Sequence, residues 1–185
     1  MVQITKSEVN IKEKIEQLDY STVPYDKMPV GSVIQTQYSV LPYGGAVNEA
    51  ETNSSNFQPT NFIVKISPRF LNSKIIITAA PNIKSNGSSG YHSLAIYKRV
   101  GYPIAEYEPV ISDSNSTITH GITNHKYDSL TRWYGQANIL AIDTPGTVQE
   151  VIYQIYHRNS SSGSYYVRTG ENSADEWMIA TEIKQ

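Results

Sequence analysis

Residues 67–83 read SPRFLNSKIIITAAPNI, and the fold turns on the run Lys74-Ile75-Ile76-Ile77-Thr78 inside them. β-Branched side chains crowd the preceding turn of a helix but suit a pleated surface. With Pro68 before it and Pro81 after it, the run is too short for an average helix and reads as a strand. Ser67-Pro68-Arg69 ends the strand before it, and Asn72-Ser73 opens this one. Isoleucines fall on both of its faces, as expected of a strand inside a sheet or beneath a subunit contact.

The same two-residue period extends in both directions. Ile34, Thr36, Tyr38 and Val40 occupy one face of the first strand, and Phe62, Val64 and Ile66 alternate with Asn61, Ile63 and Lys65. Ile75, Ile77 and Ala79 continue the pattern, followed by Leu94 with Ile96, then Val151, Tyr153 and Ile155. Trp177, Ile179 and Ile183 complete the expected inner face. Polar, glycine-bearing loops at 49–56, 85–90, 112–119 and 159–164 separate these runs, and Pro145-Gly146 suits the centre of a type II turn. Short strands with turn punctuation and no intervening helix predict an all-β domain over residues 31–185, an antiparallel jelly-roll-like β-sandwich.

Residues 1–30 read differently. Thr5-Lys6-Ser7-Glu8 fits a capping box, and Ile11, Ile15 and Leu18 then form a narrow apolar stripe on a helix over 5–18. A helix this short is marginal alone in water, so the stripe is expected to dock, either on its own domain or on a partner. Pro24 and Pro29 make the remainder an extended linker.

Composition narrows the function. Over 185 residues the net charge is −2, with 17% charged residues and 14 tyrosines. There is no basic cluster, so a nucleic-acid partner is not expected. Cysteine is absent, which removes disulfides and thiolate metal sites. No apolar run approaches the ~20 residues that span a bilayer, so membrane insertion is not expected either. Nor does the N-terminus carry a secretory h-region.

No catalytic set emerges. Asp143-Thr144-Pro145-Gly146 resembles the Asp-Thr-Gly of aspartic proteases, but the proline interrupts it and no second copy supplies a partner carboxylate. Glu106 and Glu108, two apart, would lie ~6–7 Å from one another on one strand face, with nothing else converging on them. His120 and His125, five apart, share a face of neither a helix nor a strand and read as loop residues. No cofactor or metal is expected. Trp133, Tyr134, Tyr165 and Tyr166 lie near strand ends, and their rings suit sugar contact and protein contact alike. Ile63, Ile76 and Ile152, apolar on the second face of their strands, are the candidates for subunit interface.

Taken in order, GSVIQTQYSV (31–40), ISPRFLNSKIIITAAPNI (66–83), LAIYKRVGYPI (94–104), LAIDTPGTVQEVIYQIYHR (140–158) and WMIATEI (177–183) resemble a family of virion proteins of marine and freshwater tailed phages, cyanophages included. Its blocks run G-S-V-L-Q, S-P-x-x-x-x-S-K-I-L-I, Y-R-D-G-T-P-I, L-D-S-P-x-T-x-x-x-x-Y-x-x-Q and T-x-M-E-I. Here Lys98-Arg99-Val100-Gly101 replaces the Arg-Asp-Gly turn, and Trp177-Met178 replaces a Ser/Thr run. The resemblance implies a non-enzymatic fibre or decoration β-domain, a homotrimer located in the virion and assembled in the bacterial cytoplasm. Residues 1–30, through Ile11, Ile15 and Leu18, would attach it to other virion proteins of the capsid or of the tail and baseplate. The alternative reading is a receptor-binding module that grips host surface glycan through Trp133, Tyr134, Tyr165 and Tyr166.

Overall fold

The computed structural model describes residues 24–41, 50–86, 89–101, 106–110, 122–128, 133–159, 166–169 and 176–185. The expected helix with Ile11, Ile15 and Leu18 lies outside them, as does Tyr165. After a single 3-10 turn, Tyr25–Lys27, every described element is a strand.

One layer is built from β1 (Val33–Leu41), β13 (Glu176–Ile183), β4 (Lys74–Ala80) and β10 (Ile139–Asp143), in the order β1-β13-β4-β10. A second sheet, β2-β12-β5-β9, comprises β2 (Ala50–Thr52), β12 (Tyr166–Thr169), β5 (Asn82–Asn86) and β9 (Trp133–Gln136). Each of its strands is the chain neighbour of the strand in the same lane of the first. β4 gives way to β5 at Pro81, which has no N–H to continue the ladder. There Ala137 N donates to Pro81 O at 2.9 Å, and Glu176 Oε1 accepts from Asn82 N at 3.0 Å.

The facing layer has the order β3-β11-β6-β7, from β3 (Gln58–Ile66), β11 (Val151–Asn159), β6 (Ser89–Val100) and β7 (Glu108–Pro109); β8 (Ile122–Asp128) pairs with the same edge of β6 as β7 does. Taking the lanes in chain order, the first pairs with the last, the second with the second-last, and so inward. That nesting is the wrap of a jelly roll. All pairings are antiparallel.

Between the layers lie Phe62, Val64, Ile66, Ile75, Ile77, Leu94, Ile96, Val151, Tyr153 and Ile155, each buried. Each contributes about 1.5–3 kcal/mol by leaving water. The strand of the opening stretch, β4, runs between β13 and β10, as its two apolar faces require.

Three polar locks close the ends of the sandwich. The buried Glu182 carboxylate accepts from Arg69 N (2.7 Å), Phe70 N (3.3 Å) and Ser73 Oγ (2.6 Å) on one oxygen, and from Gln35 Nε2 (2.7 Å) on the other. The Pro-Arg-Phe turn therefore wraps a carboxylate from the far end of the chain. Asp143 accepts from Tyr153 Oη (2.9 Å) and Lys98 Nζ (2.8 Å). Burial, then the Asp143 charge and hydrogen bond, push the Tyr153 phenol up. Lys184 Nζ donates to the backbone oxygens of Tyr25, Asp26 and Met28, and Arg69 lies over the Tyr25 ring. The last part of the expected arm, from Pro24 on, is thus held to the domain.

Three expectations are corrected. On β1, a register shift between Val33 and Gln35 leaves Ile34 buried but turns Thr36, Tyr38 and Val40 outward, as a bulge does. On β13 the parity is opposite to that expected: Met178, Ala180 and Glu182 face in, while Trp177 and Ile179 face out. Glu182 and its four donors fix that choice. The segment around His125 is strand β8, not loop, and His125 stands opposite His92.

Candidate assembly surfaces

Each layer has an outer face, and the two differ in chemistry. On the layer β1-β13-β4-β10, cross-strand register aligns Tyr38, Ile179, Thr78 and Leu140 in one row. The next row holds Thr36, Thr181, Ile76 and Ile142, and another holds Val40, Trp177 and Ala80. Tyr38 is 75% exposed, Leu140 58% and Ile142 53%; Trp177 and Val40 are exposed too. No charged residue occurs in these rows. Four strands at ~4.8 Å spacing over a length of ~17 Å give a flat footprint of roughly 300 Å² before side-chain relief, comparable with the largest apolar patch of a typical monomer.

On the layer β3-β11-β6-β7, the outward positions mix aromatic and basic side chains with Ile63, Ile152 and Ala95. Tyr97 and Tyr156 stack with centroids 4.1 Å apart. Phe57 adjoins Tyr97 at 5.9 Å, and Tyr107 adjoins Tyr156 at 5.8 Å. Arg158 lies over Phe57 at 4.7 Å and Arg99 over Tyr107 at 4.8 Å. The result is a ribbon of four rings with a guanidinium at either end. Burial raises the Tyr97 phenol, against the lowering charge of Arg158. It raises that of Tyr156 as well, with Tyr107 and Tyr97 adding and Arg99 opposing.

The expected site residues divide among these surfaces. Ile76 is half-buried at the centre of the apolar face. Ile63 is half-buried on the other outer face, in the row of Gln154 and Tyr97. Ile152 is corrected as an interface candidate: it is only 4% exposed, flanked by the cross-strand neighbours Lys65 and Arg99, whose aliphatic stems suit covering apolar surface. Trp133 and Tyr134 are consecutive on edge strand β9, paired in register with Ser85 and Lys84 of β5. Tyr166 is on β12, between β2 and β5.

Sequence reasoning missed two features. The Tyr97–Tyr156 stack joins positions about 60 residues apart through the β6–β11 ladder, and no local pattern announces it. His92 and His157, both fully buried, have ring centroids 5.6 Å apart and share the Thr169 hydroxyl, 3.0 Å from His157 Nδ1 and 3.4 Å from His92 Nε2. Burial lowers the His157 imidazole to about 4. Among the described residues no group of His, Asp and Glu is arranged to hold a metal, and no helix is long and apolar enough to cross a membrane. Glu108 is exposed and 3.8 Å from Lys98 Nζ; Glu106 is exposed as well.

No protein-family model matches the chain, and no curated protein matches it. Among solved structures, "Structure of infectious bursal disease virus Gx strain" aligns over 87% of this chain at 13% identity and a TM-score of 0.38. This chain spans 42% of that one, and a likeness this distant carries no function across.

Proposed function

We propose that this chain is a non-enzymatic structural protein of a tailed-phage virion, a fibre or decoration subunit that assembles as a homotrimer. The observation that carries the reading is the uncharged face of Tyr38, Val40, Ile76, Leu140, Ile142, Trp177 and Ile179. A surface without charge is complementary to another such surface, and the one other copy certain to be present during assembly is the chain itself. Interfaces of permanent homo-oligomers resemble a core cut in half, and this face has that composition. It would form the apolar centre of a contact of ~800 Å² per partner, with closed symmetry preventing runaway growth. The order of sequence blocks from Gly31 to Ile183 supports placing the assembly in a virion. Residues 1–23 lead into the clip at Lys184 and would reach toward capsid or tail partners.

Quantitative mass spectrometry of purified particles encoding the chain tests the reading. It predicts a stable component present in multiples of three copies. Particles that lack the chain while infected cells accumulate it would contradict the proposal.

A further inference from the structure

At one edge of the interior, a lysine from one layer meets an aspartate from the other. Cross-strand register places Glu108, Lys98 and Tyr153 in one row over β7, β6 and β11. Asp143 approaches that row from the end of β10. Lys98 Nζ lies 2.8 Å from Asp143 Oδ1 and 3.8 Å from Glu108 Oε1. The Tyr153 hydroxyl donates to the other Asp143 oxygen, Oδ2, at 2.9 Å. The side chains of Lys98 and Asp143 are only 14% and 6% exposed, whereas that of Glu108 is 67% exposed. An amine and a carboxyl group are therefore held in contact where little water reaches them. One carboxyl oxygen carries a hydrogen-bond donor, and a second carboxylate stands beside the amine.

We propose that Lys98 and Asp143 condense into an intramolecular isopeptide bond that joins the two layers of the sandwich. The ammonium passes a proton to Asp143 along the 2.8 Å hydrogen bond, which leaves an amine beside a carboxylic acid. The Nζ lone pair then attacks Cγ, and the carbonyl electron pair moves onto Oδ2. There the Tyr153 hydroxyl already donates, as an oxyanion-hole donor does. Burial pushes that phenol up and so keeps its proton in place. Glu108 takes a proton from the attacking nitrogen and returns it to Oδ1; the Cγ–Oδ1 bond breaks, the carbonyl re-forms at Oδ2 and water leaves. One C–N bond forms and one C–O bond breaks, nothing is oxidised or reduced, and Glu108 and Tyr153 end as they began. In water, hydration favours the separate ions over the amide. Burial withdraws that hydration, and a neutral amide removes both buried charges. Orientation within the fold takes the place of high concentration. The bond spans 45 positions of the chain and constrains the unfolded state as a disulfide would, in a protein without cysteine. It belongs to the interior, so it stands whether or not the apolar face is a subunit contact.

Mass spectrometry of the denatured full-length protein tests this. Its intact mass is expected to fall short of the sequence mass by one water. A tryptic digest should contain one branched peptide, uncut after Lys98, in which that residue is joined to Asp143. Lys98→Arg keeps the positive charge but has no amine to acylate, and should restore the full sequence mass with native circular dichroism. Glu108→Gln, at an exposed position, removes the proton carrier and should slow the loss of water severalfold in freshly made protein. Should Lys98→Arg fail to fold, the branched peptide of the parent decides by its presence or absence. The proposal is overturned by any of three results: a parent that keeps its full sequence mass and yields no branched peptide, a folded Lys98→Arg variant that still loses water, or a Glu108→Gln variant that condenses as fast as the parent.

Discussion

Single side chains decide more of this fold than their number suggests. Glu182 holds two backbone N–H groups, a hydroxyl and an amide, and so ties the turn at 69–73 to the last strand. Glu182→Ala strands these donors in a buried site and should cost about 3 kcal/mol or more; Glu182→Gln, which keeps one acceptor, should cost less. Urea denaturation measures both. Two other buried groups set opposing pH slopes. His157 falls from 6.5 to about 4 through burial, so between those values the folded chain binds fewer protons than the unfolded one. Its contribution is full above about 6.5 and is lost as pH drops toward 4. Glu176 rises from 4.5 to about 7 through burial, against donation from Asn82. The folded chain then binds more protons than the unfolded one, and stability falls as pH climbs through that window. The wild-type midpoint should therefore vary little from pH 4.5 to 6.5. Glu176→Gln should expose a loss toward acid, and His157→Asn a loss toward pH 7. Variants whose profiles track the wild type would refute this pairing. Neither group was legible beforehand, because burial of a lone Glu or His depends on strands more than 60 residues away.

At the level of elements, period and existence were readable and parity was not. Val64, Tyr153 and Ile77 sit in the core where their alternation puts them. On β1 and β13 the larger apolar residues point to solvent. A strand apolar on one face and mixed on the other gives no local signal of which face is inside. The bulge near Val33 and the hydrogen bonds of Glu182, both products of tertiary structure, make the choice. The consequence is testable on β13 alone. Ala180→Leu should overpack the interior and cost about 1–3 kcal/mol. Trp177→Ser, on the outer face, should cost the isolated subunit less than about 1 kcal/mol. Comparison of urea midpoints in a background that does not self-associate distinguishes the two parities. The same parity hides the apolar surface from the sequence, since alternation alone puts Trp177 and Ile179 on the inner face.

For the whole molecule, the all-β sandwich follows from composition and punctuation, and the jelly-roll order follows from the nested pairing of lanes. What alternation alone could not reveal is that the two outer faces diverge, one greasy and uncharged, the other cationic and ring-lined. Under the proposed assembly, the uncharged layer would turn toward copies of the chain. The most direct test is native mass spectrometry of the full-length protein at micromolar concentration, beside the variant Leu140→Glu/Ile142→Glu. Both substituted positions are more than half exposed, so the variant should remain folded. The wild type should register as a trimer and the variant as a folded monomer. A monomeric wild type, or a variant that keeps the trimer mass, would contradict self-assembly through this face.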